Sequence, residues 1–156
     1  MRPGSLLVAL IAAAALGAGA TAVRAQASSP AYDQNCAMCH QGAGVGVPGA
    51  FPRLAGRAGA LAGLPSGRAL MISTVLYGMS GKLQVGGQPL SGLMPSFGQL
   101  SNAQVSEALN YIAHLQGKTP RAFTPAEVAA VRARPALTPA QVNALARDPV
   151  LAKAAP

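Results

Sequence analysis

The clearest periodic pattern in the chain is the stripe Val105, Ala108, Leu109, Ile112 and Leu115, whose spacing of three and four residues puts them on one face of a helix. Ser101 and Gln104 precede it in capping-box order, so this helix starts just after Ser101. A second stretch, Arg68 to Tyr77, carries Ile72, Val75 and Leu76 at helical spacing, and Gly78 is placed to end it. An earlier helix begins at Ser29-Pro30, with proline in the first helical position, and leads through Tyr32 to Cys39 and His40. Residues 42–63 hold seven glycines with Pro48 and Pro52, a composition that resists helix and strand and predicts a tight loop wrapped around something. A second Gly-rich loop, Gly78 to Gln99, contains Met94-Pro95. No stretch sustains an alternation of apolar and polar residues, which argues against a sheet. The expected fold class is all-α, with three core helices joined by Gly-rich loops.

The C-terminal part contains a short repeat. Thr124-Pro125-Ala126-Glu127-Val128 recurs 14 residues later as Thr138-Pro139-Ala140-Gln141-Val142. Each copy reads as a threonine cap, a proline in the first turn and Glu or Gln at the capping-box position, predicting two short helices separated by Pro135. Two copies are too few for a solenoid, so residues 119–156 read as a helical extension appended to a domain at 28–118.

At the other end, Arg2 followed by the apolar run Leu6 to Ala20 has the form of an export signal. Val23-Arg24-Ala25 and Ala25-Gln26-Ala27 both offer small-residue cleavage sites, and cleavage after Ala27 makes residues 1–27 the signal peptide. The other reading, a retained anchor, is opposed by a run rich in Ala and Gly and short of the roughly 20 strongly apolar residues that span a bilayer. The mature chain is expected in the periplasm, not spanning the membrane. No cysteine precedes Cys36, which argues against a lipid near the signal site.

Without Arg2 and Arg24, ten basic residues face four acidic ones, a charge of +6, and +4 of it falls within the last 39 residues. Such a surface serves solubility or attraction to an acidic protein or membrane face. Nucleic acid is a poor partner, because an exported protein rarely meets it and aromatic residues are too few for base stacking.

Both cysteines lie in one motif, Cys36-Ala37-Met38-Cys39-His40, the C-x-x-C-H pattern of covalent haem attachment. Two thiols three residues apart on a helical turn project to one side, where they can add across the two vinyl groups of one haem edge. His40 then presents its imidazole to the iron. A disulfide or a thioredoxin-like redox pair is the other reading of two such cysteines, but a thioredoxin-like site would need a surrounding βαβ pattern, which is absent, and zinc would need more ligands than these residues and the distant His114 supply. For the other face of the iron, Met94 is the leading ligand: it lies in a loop able to bend across the haem, and its thioether favours reduced iron. Met79, also in that loop, is its rival. Met38 sits within the attachment motif, Met71 reads as core packing, and His114 reads as a surface or packing residue of the third helix.

On these motifs and their order, residues 32–117 resemble the class I mono-haem c-type cytochromes of bacteria. The resemblance takes in the attachment motif, Gly46-Val47-Pro48-Gly49-Ala50-Phe51-Pro52-Arg53-Leu54-Ala55-Gly56, Tyr77-Gly78, Gly92-Leu93-Met94-Pro95-Ser96-Phe97, and Leu100-Ser101 followed by the helix with Tyr111-Ile112. It implies a small cytochrome c fold around one haem, with His40 and Met94 as axial iron ligands. It also implies that the Pro52 carbonyl accepts from the His40 imidazole N–H. Leu54, Leu93, Phe97 and Tyr111 would line an apolar pocket, and Tyr77 or Arg68 would contact a propionate unless packing and solvation are their only roles. The segment from Thr119 onward departs from the family's compact domain, and the chain has no Trp for a propionate contact.

The expected function is periplasmic electron transfer through one covalent haem c. The protein would act as a carrier or as the cytochrome subunit of a dehydrogenase or respiratory complex, and not as an enzyme. Its partners would be redox proteins: a periplasmic dehydrogenase, a terminal oxidase or a reductase. A peroxidase-like haem enzyme or a gas sensor is the alternative. It requires an open or displaceable sixth position, where the chain places Met94, and the sequence offers no distal acid–base pair.

Overall fold

In the computed structural model, residues 29–117 and 120–154 are described. The export signal at 1–27 and the boundary at 118/119 fall outside them. Helix α1 (Pro30–Asn35) starts as its sequence predicts: Ser29 Oγ accepts the Tyr32 N–H at 3.2 Å, and proline fills the first turn. The same hydroxyl donates to Glu107 Oε1 at 2.9 Å, and the Ala31 N–H reaches that oxygen at 3.1 Å. A carboxylate from a distant helix thus satisfies two donors at this terminus. The helix breaks at Cys36 and resumes as α2 (Ala37–His40).

The glycine-dense segment 42–63 is not loop throughout. Its end folds as α3 (Arg57–Ala62), where an Ala-rich run with Leu61 outweighs a single internal glycine. Helix α4 (Pro65–Tyr77) follows, begun by a first-turn proline and ended at Gly78.

The second Gly-rich segment departs from the all-α expectation. Residues Met79–Val85 (β1) and Gln88–Met94 (β2) pair as an antiparallel two-stranded sheet, with Val85 opposite Gln88 and Met79 opposite Met94. Gly86 and Gly87 have φ of 58° and 72°, the pair of positive angles that a two-residue hairpin turn demands. One face of β1 turns Met79 and Leu83 to the main core, and the other carries Ser80, Lys82 and Gln84. Two signals of it stand in the sequence, the Gly-Gly pair at the turn and the alternation of Met79, Leu83 and Val85 with Ser80, Lys82 and Gln84, so the expectation that no stretch alternates does not hold here.

Helix α5 (Asn102–His114) has the full capping box at Ser101 and Gln104, and a 3₁₀ turn at Leu115–Gly117 closes it. Thr124 and Thr138 form the same box for α6 (Pro125–Arg132) and α7 (Pro139–Ala146), and a further helix, α8 (Pro149–Ala154), follows. No helix among the described residues is long and apolar enough to cross a membrane.

The C-terminal helices are built into the domain core rather than appended to it. Phe123, Val128, Val131, Val142, Ala146 and Leu151 belong to the same buried cluster as Leu61, Ile72, Leu76, Val105 and Leu109. Polar ties hold the seam. Asn110 exchanges two hydrogen bonds with the Phe123 backbone, at 2.7 and 3.0 Å. The Arg132 guanidinium donates to the carbonyls of Gly98 and Leu100, each at 2.8 Å.

Arg68 is the strongest of these ties. It is buried in α4, lies 3.8 Å over the Phe123 ring, and donates to the carbonyls of Ala62, Arg121 and Ala122 and to both oxygens of Glu127. The propionate role suggested for Arg68 is therefore displaced by five donations that fix the C-terminal helices. A guanidinium suits the position because its planar fork can satisfy several acceptors at once.

Candidate haem site

The attachment motif sits where α1 and α2 meet, against a small cluster of Ala31, Tyr32 and Ala108 on which Cys36, Leu54 and Tyr111 also pack. Cys36 and Cys39 are both free thiols and half-buried. They share one helical turn, the Cys39 N–H donating to the Cys36 carbonyl at 3.2 Å. Burial, reinforced by Cys39, pushes the Cys36 thiol up to about 11, so it lacks the lowered pKa of a dithiol redox site. Among the described residues no three His, Cys, Asp or Glu side chains gather to hold a metal ion.

His40 is 7% exposed and its Nδ1–H donates to the Pro52 carbonyl at 2.9 Å. That bond fixes the ring's orientation and tautomer and leaves Nε2 with a free lone pair. Burial holds the imidazole below its ordinary pKa, against a smaller opposing effect of the Pro52 bond, and so favours the neutral ring a metal needs. Two tyrosines fix the backbone beyond it. Tyr32 donates to the Gln41 carbonyl at 2.7 Å and Tyr111 to the Gly42 carbonyl at 2.6 Å, with their rings 4.7 Å apart. Gln41 itself has φ 63° and ψ 157°, a strained setting held by these bonds. In the sequence Tyr32 is legible only as part of a helix; its place four residues before Cys36, on the same helical face, is the signal of its role.

Met94 ends β2 rather than lying in an open loop, and the segment after it docks on the C-terminus of α4. Ser96 Oγ donates to the Leu76 carbonyl at 2.6 Å and the Phe97 N–H to the Val75 carbonyl at 2.9 Å. Carbonyls that α4 leaves unpaired are thus capped by the residues following Met94. Met79 stands opposite Met94 in the hairpin and packs on the main core.

Of the other residues singled out in the sequence, Leu54 and Tyr111 pack near Cys36, while Phe97 packs on the main core. Leu93 is 69% exposed, next to Met94 on β2. The Tyr77 hydroxyl points at the Val131 carbonyl of α6, at 3.4 Å. His114 is exposed at the end of α5, its Nδ1 bonded to the Asn110 carbonyl.

Residues 25–116 match the family model described as Cytochrome c. The chain belongs to the cytochrome c family. Among its relatives, a Cytochrome c-552 of Thermus thermophilus is 39% identical over 115 residues, covering 70% of this chain and 78% of the relative. A second Cytochrome c-552 from Thermus thermophilus is 40% identical over 114 residues, covering 70% of this chain and 87% of the relative. This cytochrome therefore carries covalent haem c, and its role is haem-based electron transfer. The site fits that group: two cysteines on one helical turn, and beside them a buried, neutral-favouring imidazole with one nitrogen already committed.

Proposed function

We propose that this cytochrome moves single electrons between redox proteins of the periplasm, with Cys36 and Cys39 as the haem thioethers and His40 and Met94 as the axial iron ligands. The observation that carries the reading is the 2.9 Å bond from buried His40 to the Pro52 carbonyl, which commits Nδ1 and leaves Nε2 for the iron. Bound haem supplies a one-electron couple whose potential a thioether raises. Leu54 and Phe97 exclude water beside it, and Pro52 holds the His40 proton. The capped segment after Met94 restrains the thioether, so both oxidation states keep the same ligand set and little rearrangement accompanies transfer.

The exposed basic residues of the C-terminal segment, Arg121, Arg134 and Lys153 among them, supply a positive face for an acidic partner such as a periplasmic dehydrogenase, terminal oxidase or reductase. The ligand set is tested by optical spectra of the protein produced with haem-attachment machinery. The oxidised wild type should be low-spin with the weak near-infrared methionine–iron band, and Met94→Ala should lose that band with the haem still covalently held. An unchanged band in Met94→Ala would transfer the sixth position to Met79, its hairpin partner.

A further inference from the structure

We infer that Gly46 and Gly78 are positioning residues, one for each side of the iron, each letting a backbone segment that carries or orients an axial ligand occupy the space of its missing side chain. This rests on the His40/Met94 reading above. Gly78 has φ +76°, and a Cβ there would lie 2.5 Å from the Met94 carbonyl oxygen, 3.0 Å from Pro95 C and 3.0 Å from the Ser96 nitrogen. Gly46 has φ +69°, and a Cβ there would lie 2.5 Å from the Phe51 oxygen, 2.7 Å from Pro52 C and 2.8 Å from the Arg53 nitrogen. All six atoms are backbone, so no side chain can swing aside to make room.

The consequences differ on the two sides. The Gly46 N–H donates to the His40 carbonyl at 3.0 Å while its Cα face holds the Pro52 peptide, so one residue spaces the imidazole from its acceptor. Any larger residue pushes Pro52 outward and lengthens the bond that polarises His40. At Gly78, the Met94–Pro95 peptide lies directly on the backbone that ends α4, with Ser96 and Phe97 pinned to the last carbonyls of that helix. A Cβ lifts this peptide off the helix end and carries the Met94 side chain with it.

Gly49 provides the control. Its φ is the same +76° but a Cβ there meets nothing within 4 Å, so Gly49→Ala bears the backbone strain without the collision. The experiment compares holo wild type, Gly46→Ala, Gly78→Ala and Gly49→Ala. It reads the methionine–iron band, the affinity of the oxidised form for added imidazole, and the exchange rate of the His40 Nδ1 proton in the reduced form. Gly78→Ala should weaken the band and bind imidazole at least tenfold more tightly, with His40 exchange unchanged. Gly46→Ala should keep the band and speed His40 exchange at least tenfold. Gly49→Ala should match the wild type on all three readouts.

If Gly78→Ala and Gly46→Ala track Gly49→Ala, the inference is overturned while the ligand reading stands. A wild type without the methionine band overturns the ligand reading itself and the Gly78 assignment with it. Should Gly78→Ala fail to accumulate, Ser96→Ala frees the same segment from the Leu76 carbonyl without touching a glycine. It should raise imidazole affinity in the same direction, and no change would overturn the assignment.

Discussion

Glu127 receives both fork nitrogens of buried Arg68, two more donations from Arg121 and the N–H of Thr124, so its carboxylate serves at once as ion-pair partner and helix cap. The Arg68 bonds first, then those from Arg121 and Thr124, hold its carboxyl down to about 2 from the ordinary 4.5. A depressed carboxylate stabilises the fold above its unfolded value and loses that contribution as pH falls through the folded one. Thermal melts of the wild type should therefore lose stability steeply between about pH 4.5 and pH 2, and Glu127→Gln should flatten that slope. An equally steep acid limb in Glu127→Gln would place the acid sensitivity elsewhere. Arg68→Ala takes the donor from three carbonyls and leaves Glu127 with only Arg121 and the Thr124 N–H, and urea unfolding should show a cost of about 3 kcal/mol. On the haem side, Tyr32→Phe leaves the Gln41 carbonyl without its buried donor. It should cost about 1 to 2 kcal/mol by the same measurement, with covalent attachment unaffected.

Helix starts follow rules local enough to be read directly, and the capping boxes at Ser101, Thr124 and Thr138 stand where their sequences put them. Ser101→Ala should destabilise the protein by about 1 kcal/mol in urea, because the Gln104 N–H at the start of α5 loses its side-chain acceptor. The attachment motif is equally legible, since two thiols and an imidazole within five residues need no tertiary information. The hairpin is not. Its register places Leu83 opposite Leu90 and Gly81 opposite Gly92, so glycines interrupt the apolar face of both strands and leave only a short alternation to report it. Arg68 misleads for a related reason: an isolated arginine on a helix carries no mark of which acceptors surround it, and here they come from residues 62 and 121–127.

Across the whole molecule, the decisive fact is that α6, α7 and α8 complete a core begun by α3, α4 and α5. Val128 and Val142 are fully buried in that core, and Val128→Ala or Val142→Ala should each cost about 2 kcal/mol in equilibrium unfolding. Losses near zero would show that the C-terminal helices can separate from the rest. Removing residues 119–156 thus strips out packing as well as charge and cannot isolate partner binding. Reversing the exposed charges, as in Arg134→Glu with Lys153→Glu, leaves the core intact. That variant should slow electron transfer to an acidic partner most at low ionic strength.

The shared core also orders events in time. During synthesis Cys36 and Cys39 appear roughly a hundred residues before Leu151, and until Val142 and Leu151 arrive the apolar faces of α4 and α5 lack their cover. A chain stopped short of them would leave that apolar surface in water.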